Sequence, residues 1–139
     1  MGNYFSSNKT KFYYLALFKH NHQYTIHGLW PDYGNGSYPS FCKDIPFDIE
    51  KLRPLEKKLL EYWELPEDHD KLEIHFWKHE WLKHGTCMFT PMTEYEYFSK
   101  AIELYEYIIN ENINISKYNK NGKYMIPFDL DFDLEIDLT

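Results

Sequence analysis

The sequence predicts a fold that mixes strands and helices around one core, and three patterns carry that expectation. An apolar run over Lys11–Phe18, resumed by Tyr24-Thr25-Ile26, reads as two paired strands. A helical stripe follows a capping box at Thr93, and the last residues alternate apolar and acidic positions. With 139 residues, 43% of them apolar, the chain can build one core, so residues 1–139 are read as a single domain. Aromatic residues make up 19%, enough potential burial to argue against disorder. The longest clean apolar run, Phe12–Phe18, falls far short of the roughly 20 residues of a spanning helix, so no membrane span is expected.

The first residues, Met1-Gly2-Asn3-Tyr4-Phe5-Ser6, fit the M-G-x-x-x-S pattern for myristoylation, and no basic, apolar, small-residue succession marks a secretory signal. Glycosylation sequons at Asn8, Asn35 and Asn114 point the other way, toward export, and localisation stays open. Between the first two strands, Lys19-His20-Asn21-His22 reads as a solvated turn; His20 and His22 lack a third ligand nearby in sequence. Pro31–Pro46, rich in Gly, Pro, Asn and Ser, reads as a long surface segment. Asp48 then caps a helix carrying Ile49, Leu52, Leu55, Leu59 and Trp63, kinked at Pro54. After Thr93, Tyr95, Phe98, Ile102, Tyr105 and Ile109 form one expected buried stripe. Phe128, Leu130, Phe132, Leu134, Ile136 and Leu138 predict a terminal strand with one acidic, solvated face.

The net charge of −7 provides no global field for a polyanion, but five acids lie in the terminal alternation, so the excess is local. A nucleic-acid site would need its own concentrated cations. Cys42 and Cys87 lack the C-x-x-C spacing of a zinc site; they can form one bridge in an oxidising compartment or stay reduced in another.

Two segments carry chemistry. In Tyr24–Asp32, His27 stands at the expected end of an apolar strand, where a scaffold can aim a titratable group; alone, it fits a structural histidine as well. Phe76–Cys87 reads as a helix ending at Gly85. On a helical wheel His79, Glu80, Lys83 and His84 share an arc of about 140°, with Trp77 and Trp81 largely on the other side. The zinc motif H-E-x-x-H fails here, because the second His is at i+5 and a Lys occupies the fourth position after His79. No metal and no cofactor are therefore expected. The residue set suits phosphoryl chemistry: one imidazole as base, another as acid, and Lys with a further His to hold a phosphate.

Together His27-Gly28-Leu29-Trp30-Pro31 and His79-Glu80-Trp81-Leu82-Lys83-His84-Gly85-Thr86-Cys87 resemble the two active-site signatures of the ribonuclease T2 family of acid endoribonucleases. Tyr38-Pro39 and Cys42 follow the first block as in that family, and the resemblance covers about residues 11–110. It implies an α+β fold, an antiparallel sheet flanked by helices. It also implies a secreted or endolysosomal protein that cleaves single-stranded RNA without metal to 2′,3′-cyclic phosphate ends; a monomer is expected. By motif position His84 would be the general base and His27 the general acid. His79 would hold the phosphate, with Glu80 and Lys83 stabilising five-coordinate phosphorus. Trp30, Asp32 and Tyr38 would contact one base and Phe76 the other, and a Cys42–Cys87 disulfide is implied. The chain departs from the family in a connection shortened to Lys19–Gln23 and in stopping at Thr139, so a smaller, truncated sheet is expected. A catalytically idle RNA-binding or effector module is the alternative those departures raise.

Overall fold

The structure, a computed structural model, describes residues 10–65 and 73–135. The myristoylation pattern and the Asn8 sequon lie outside them. The expected strand pair forms and is longer than its apolar run: β1 (Phe12–His20) and β2 (Gln23–Asp32) are antiparallel, joined by Asn21-His22. Both turn residues have positive φ, 51° and 66°, the combination that a two-residue turn matched to strand twist requires. His22 is exposed there, while His20 Nε2 lies 3.3 Å from Thr25 Oγ1.

The irregular segment expected from Pro31 begins at residue 33 instead, because Pro31 and Asp32 still pair with Tyr13 and Phe12 as the end of β2. Asp48 caps as expected, accepting from the Glu50 backbone N–H. The single kinked helix expected after it divides instead into a 3₁₀ segment, Ile49–Leu55, and α1 (Glu56–Tyr62). Pro54 has no N–H to continue an α ladder, which accounts for the break. Next come α2 (Glu73–Lys83) and α3 (Glu94–Asn110), the latter started by the Thr93–Glu96 capping box in both directions. The core side of α3 comprises Tyr97, Phe98, Ala101, Ile102, Leu104, Tyr105 and Ile108. Tyr95 and Ile109, the two ends of the expected stripe, are exposed because the helix outruns the surface it covers at both ends.

Of the described part of the terminal alternation, Phe128 alone belongs to a strand. The strand comes earlier, as β4 (Lys123–Phe128), preceded by the short β3 (Asn119–Lys120), and the sheet order is β2-β1-β4-β3, antiparallel throughout. After Phe128 the Asp129 carboxylate accepts from the N–H groups of Asp131 and Asp133, and Phe132 takes a φ of 64°. These local bonds compete with a ladder, leaving one bridge, Phe128 to Leu134; residues 136–139 lie outside the description. One face of the sheet, with Tyr13, Leu15, Leu17, Ile26, Leu29, Ile126 and Phe128, packs on the helices; Trp63, Trp77, Trp81, Tyr97 and Phe98 fill the space between. The fold is therefore α+β, with an antiparallel sheet flanked by helices. No helix among the described residues is long and apolar enough to cross a membrane.

Candidate active site

His27 does not stand at a strand end. Ala16 pairs with Gly28 and Leu17 with Ile26, so His27 is the extra residue of a β-bulge inside β2. A bulge bends its strand and re-aims the side chain it carries. The helices hold this bulge from behind: Trp63 Nε1 donates to the His27 carbonyl (3.1 Å), and the Tyr97 hydroxyl donates to the Leu29 carbonyl (2.8 Å) while accepting from the Leu29 N–H (3.2 Å). Phe18 stacks on the imidazole, ring centres 4.1 Å apart.

Helix α2 supplies the opposite wall. Trp77 and Trp81 anchor it in the core, and His79, Glu80 and Lys83, with His84 just past its end, line a cleft of about 360 Å³ with His27, Trp30, Asp32 and Tyr38. Trp30 joins the two walls. Its face lies on His84 at 4.9 Å, its ring meets His27 edge-on at 4.8 Å, and its Nε1 donates to Glu80 Oε1 at 2.8 Å. The other Glu80 oxygen is 4.0 Å from His27 Nε2. A Cβ on Gly28 would fall on Glu80 Oε1 and Trp30 Nε1, so only glycine lets strand and carboxylate meet there.

Burial sets the electrostatics. It raises the Glu80 carboxyl to about 7, against opposing effects from the Trp30 hydrogen bond and the charges of Lys83 and Lys123. It lowers His84 to about 3, aided by the charges of Lys83, His79 and His27. In mildly acidic water the buried imidazole is thus neutral and a proton acceptor, while the neighbouring carboxyl keeps its proton. His79 is exposed at the mouth, its ring edge-on to Phe41 at 6.1 Å, and Lys83 Nζ lies 5.8 Å from the Tyr38 ring.

The sequence-derived set is therefore gathered in one place except for Phe76, which is buried behind His27 (ring centres 5.9 Å apart) instead of lining the cleft. The Cys42–Cys87 disulfide forms. Tyr14, Pro31, Lys123 and Met125 also line the cleft. The last two escaped the sequence reading because β4 did; the signal was Asn121-Gly122, a strong hairpin turn, directly before Lys123. Among the described residues no three His, Cys, Asp or Glu side chains converge as a metal site would require.

A strand-borne imidazole facing a helix-borne imidazole, carboxyl and ammonium defines a class of acid–base centres suited to an anionic substrate. The chain belongs to the ribonuclease T2 family, whose family model matches residues 4–122. It is 42% identical over 89 residues to ribonuclease DdI of Dictyostelium discoideum (63% of this chain, 39% of that protein) and 38% identical over 85 residues to human ribonuclease T2 (59% and 32%). The chain spans about two fifths or less of these relatives' length. Among solved structures, an RNase-related protein from Calystegia sepium superposes with a TM-score of 0.68 at 24% identity, covering 92% of this chain and 90% of that one. Ribonuclease MC1 from bitter gourd seeds gives 0.66 at 21% identity, covering 93% and 94%.

Proposed function

We propose that residues 1–139 form a single-domain, metal-independent endoribonuclease that cleaves single-stranded RNA by transesterification. Neutral His84 takes the proton of a 2′-hydroxyl, and the 2′-oxygen attacks phosphorus. The bond to the 5′-oxygen breaks as His27 gives that oxygen a proton, leaving a 2′,3′-cyclic phosphate and a free 5′-hydroxyl. His79 holds the phosphate at the mouth. Lys83 and protonated Glu80 donate to the oxygens of five-coordinate phosphorus, where charge accumulates. Tyr38, half exposed at the rim, offers a ring for a base, and Asp32 and Trp30 complete that side.

The observation that carries this reading is the pairing of unlike imidazoles across one cleft: His84 kept neutral by burial, and His27 beside a carboxyl oxygen on a bulge aimed at the same space. Family relatives bearing the name ribonuclease support it, as does a fold neighbour, RNase NT, solved in complex with 5′-AMP. The test is cleavage of single-stranded RNA in EDTA at mildly acidic pH, with product ends identified. Cyclic ends are expected, lost in His84→Phe while cooperative unfolding is retained. RNA bound but left intact by the folded wild-type chain would replace this reading with that of a binding module.

A further inference from the structure

The cleft has a second cationic wall, on the sheet. Lys123, at the start of β4, lines the cleft opposite α2, its Nζ 5.8 Å from the Trp30 ring centre. Its cross-strand partner is Lys120, whose Nζ donates to the Tyr14 hydroxyl at 3.0 Å, and Tyr14 lines the same cleft. None of the ion pairs among the described residues uses either lysine. Like charges placed directly opposite on a two-stranded ladder repel, so this hairpin tip carries an unfavourable pairing that a bound anion would relieve. The Asn121-Gly122 turn, with φ of 54° and 90°, fixes the hairpin that presents both lysines.

We infer that Lys123, with Lys120 and Tyr14, forms a phosphate subsite on the sheet wall that takes a phosphodiester of the same strand adjacent to the one being cleaved. The inference rests on the proposed RNA substrate and adds to it a polynucleotide track running from the helix wall to the β3–β4 hairpin. Its consequence is a preference for longer strands: each added phosphate finds a cation that a dinucleotide does not reach.

Binding of fluorescent 2′-deoxyoligonucleotides, which lack the attacking hydroxyl, tests the subsite without turnover. For the wild-type chain, a pentanucleotide is expected to bind several-fold more tightly than a dinucleotide. In Lys123→Gln and Lys120→Gln that gain shrinks, with the slope of log affinity against log salt falling by about 0.7 per lysine. Lys123→Arg restores it, and Lys57→Gln, the same charge change on exposed α1, keeps the full gain. A length gain untouched by both hairpin variants, or equally reduced in Lys57→Gln, overturns the inference. Cleavage of RNA is followed separately: absent cyclic ends with a Lys123-dependent length gain would sink the catalytic reading alone, and cyclic ends with a Lys123-independent gain would sink the subsite alone.

Discussion

Glu80 and His84 lie one helical turn apart, and burial drives them in opposite directions, so their effects on stability mask each other. Glu80 titrates near 7 in the fold against an ordinary 4.5, so the folded chain holds a proton there that the unfolded chain has lost. That contribution is largest below pH 4.5 and is lost as pH rises through 7. His84 titrates near 3 against an ordinary 6.5, so below 6.5 the unfolded chain takes up a proton that the folded chain refuses, and stability falls with acidification toward 3. Between pH 4.5 and 6.5 each state binds one of the two protons, and this pair adds no slope. Glu80→Gln should expose the His84 effect, a loss of about 2 to 3 kcal/mol on going from pH 6.5 to 4.5. His84→Phe should expose the opposite slope, greater stability at the acidic end. Urea unfolding across that range measures both, and slopes of the same sign in the two variants would contradict the assignment. With His84 as the proposed base, the acidic limb of a bell-shaped rate profile is expected near its value of about 3, which initial rates on RNA across pH would check.

The bulge in β2 joins element to site, since one extra residue turns His27 to the cleft and sets Gly28 under the Trp30–Glu80 hydrogen bond. Gly28→Ala drives a methyl group into that bond, leaving a buried carboxyl without its donor, and should destabilise by about 2 to 4 kcal/mol. Trp30→Phe removes the donor but inserts nothing, and should cost less. Thermal unfolding of both variants ranks them, and a Gly28→Ala protein melting with the wild type would show that the two walls tolerate separation. This element also marks how far the sequence could be read. Residues on one helix face were legible from spacing alone, which is why His79, Glu80, Lys83 and His84 appear together in both sequence and structure. A bulge is a property of pairing between Ala16–Leu17 and Ile26–Gly28, so nothing in Tyr24–Asp32 by itself shows it. Lys123 and Tyr14 meet through strands over a hundred residues apart, beyond any local pattern. The terminal alternation misled because periodicity ignores the carboxylate of Asp129, which captures the backbone donors a ladder would need.

At the scale of the whole molecule, an acidic chain presents a cleft lined by two lysines and three histidines, and the disulfide decides how firmly one rim of that cleft is held. The segment between β2 and the Ile49–Leu55 turn has no regular structure. Besides ring contacts, its ties to the helix wall among the described residues are the Cys42–Cys87 bond, the Phe41 N–H donated to the Lys83 carbonyl (2.9 Å) and the Cys42 N–H donated to Thr86 Oγ1 (3.2 Å). Phe41 is held there at a positive φ of 50° with its ring exposed. A hydrogen bond to a half-exposed loop contributes about 1 kcal/mol, whereas closing a loop over a sequence separation of 45 stabilises by about 4 kcal/mol in the chain-entropy account. The covalent tie therefore dominates. Reduction, or the double change Cys42→Ser with Cys87→Ser, should lower the melting temperature by about 10 to 20 °C. Because the freed segment carries Tyr38 while His27, Glu80 and His84 sit on the sheet and the helix wall, the proposed cleavage of RNA should be weakened mainly in KM. Calorimetry with and without reductant, beside steady-state kinetics on the double variant, checks both parts. Equal melting temperatures would mean that packing alone seats the rim, and a fall in kcat at constant KM would mean that the bond acts through the position of His84 instead.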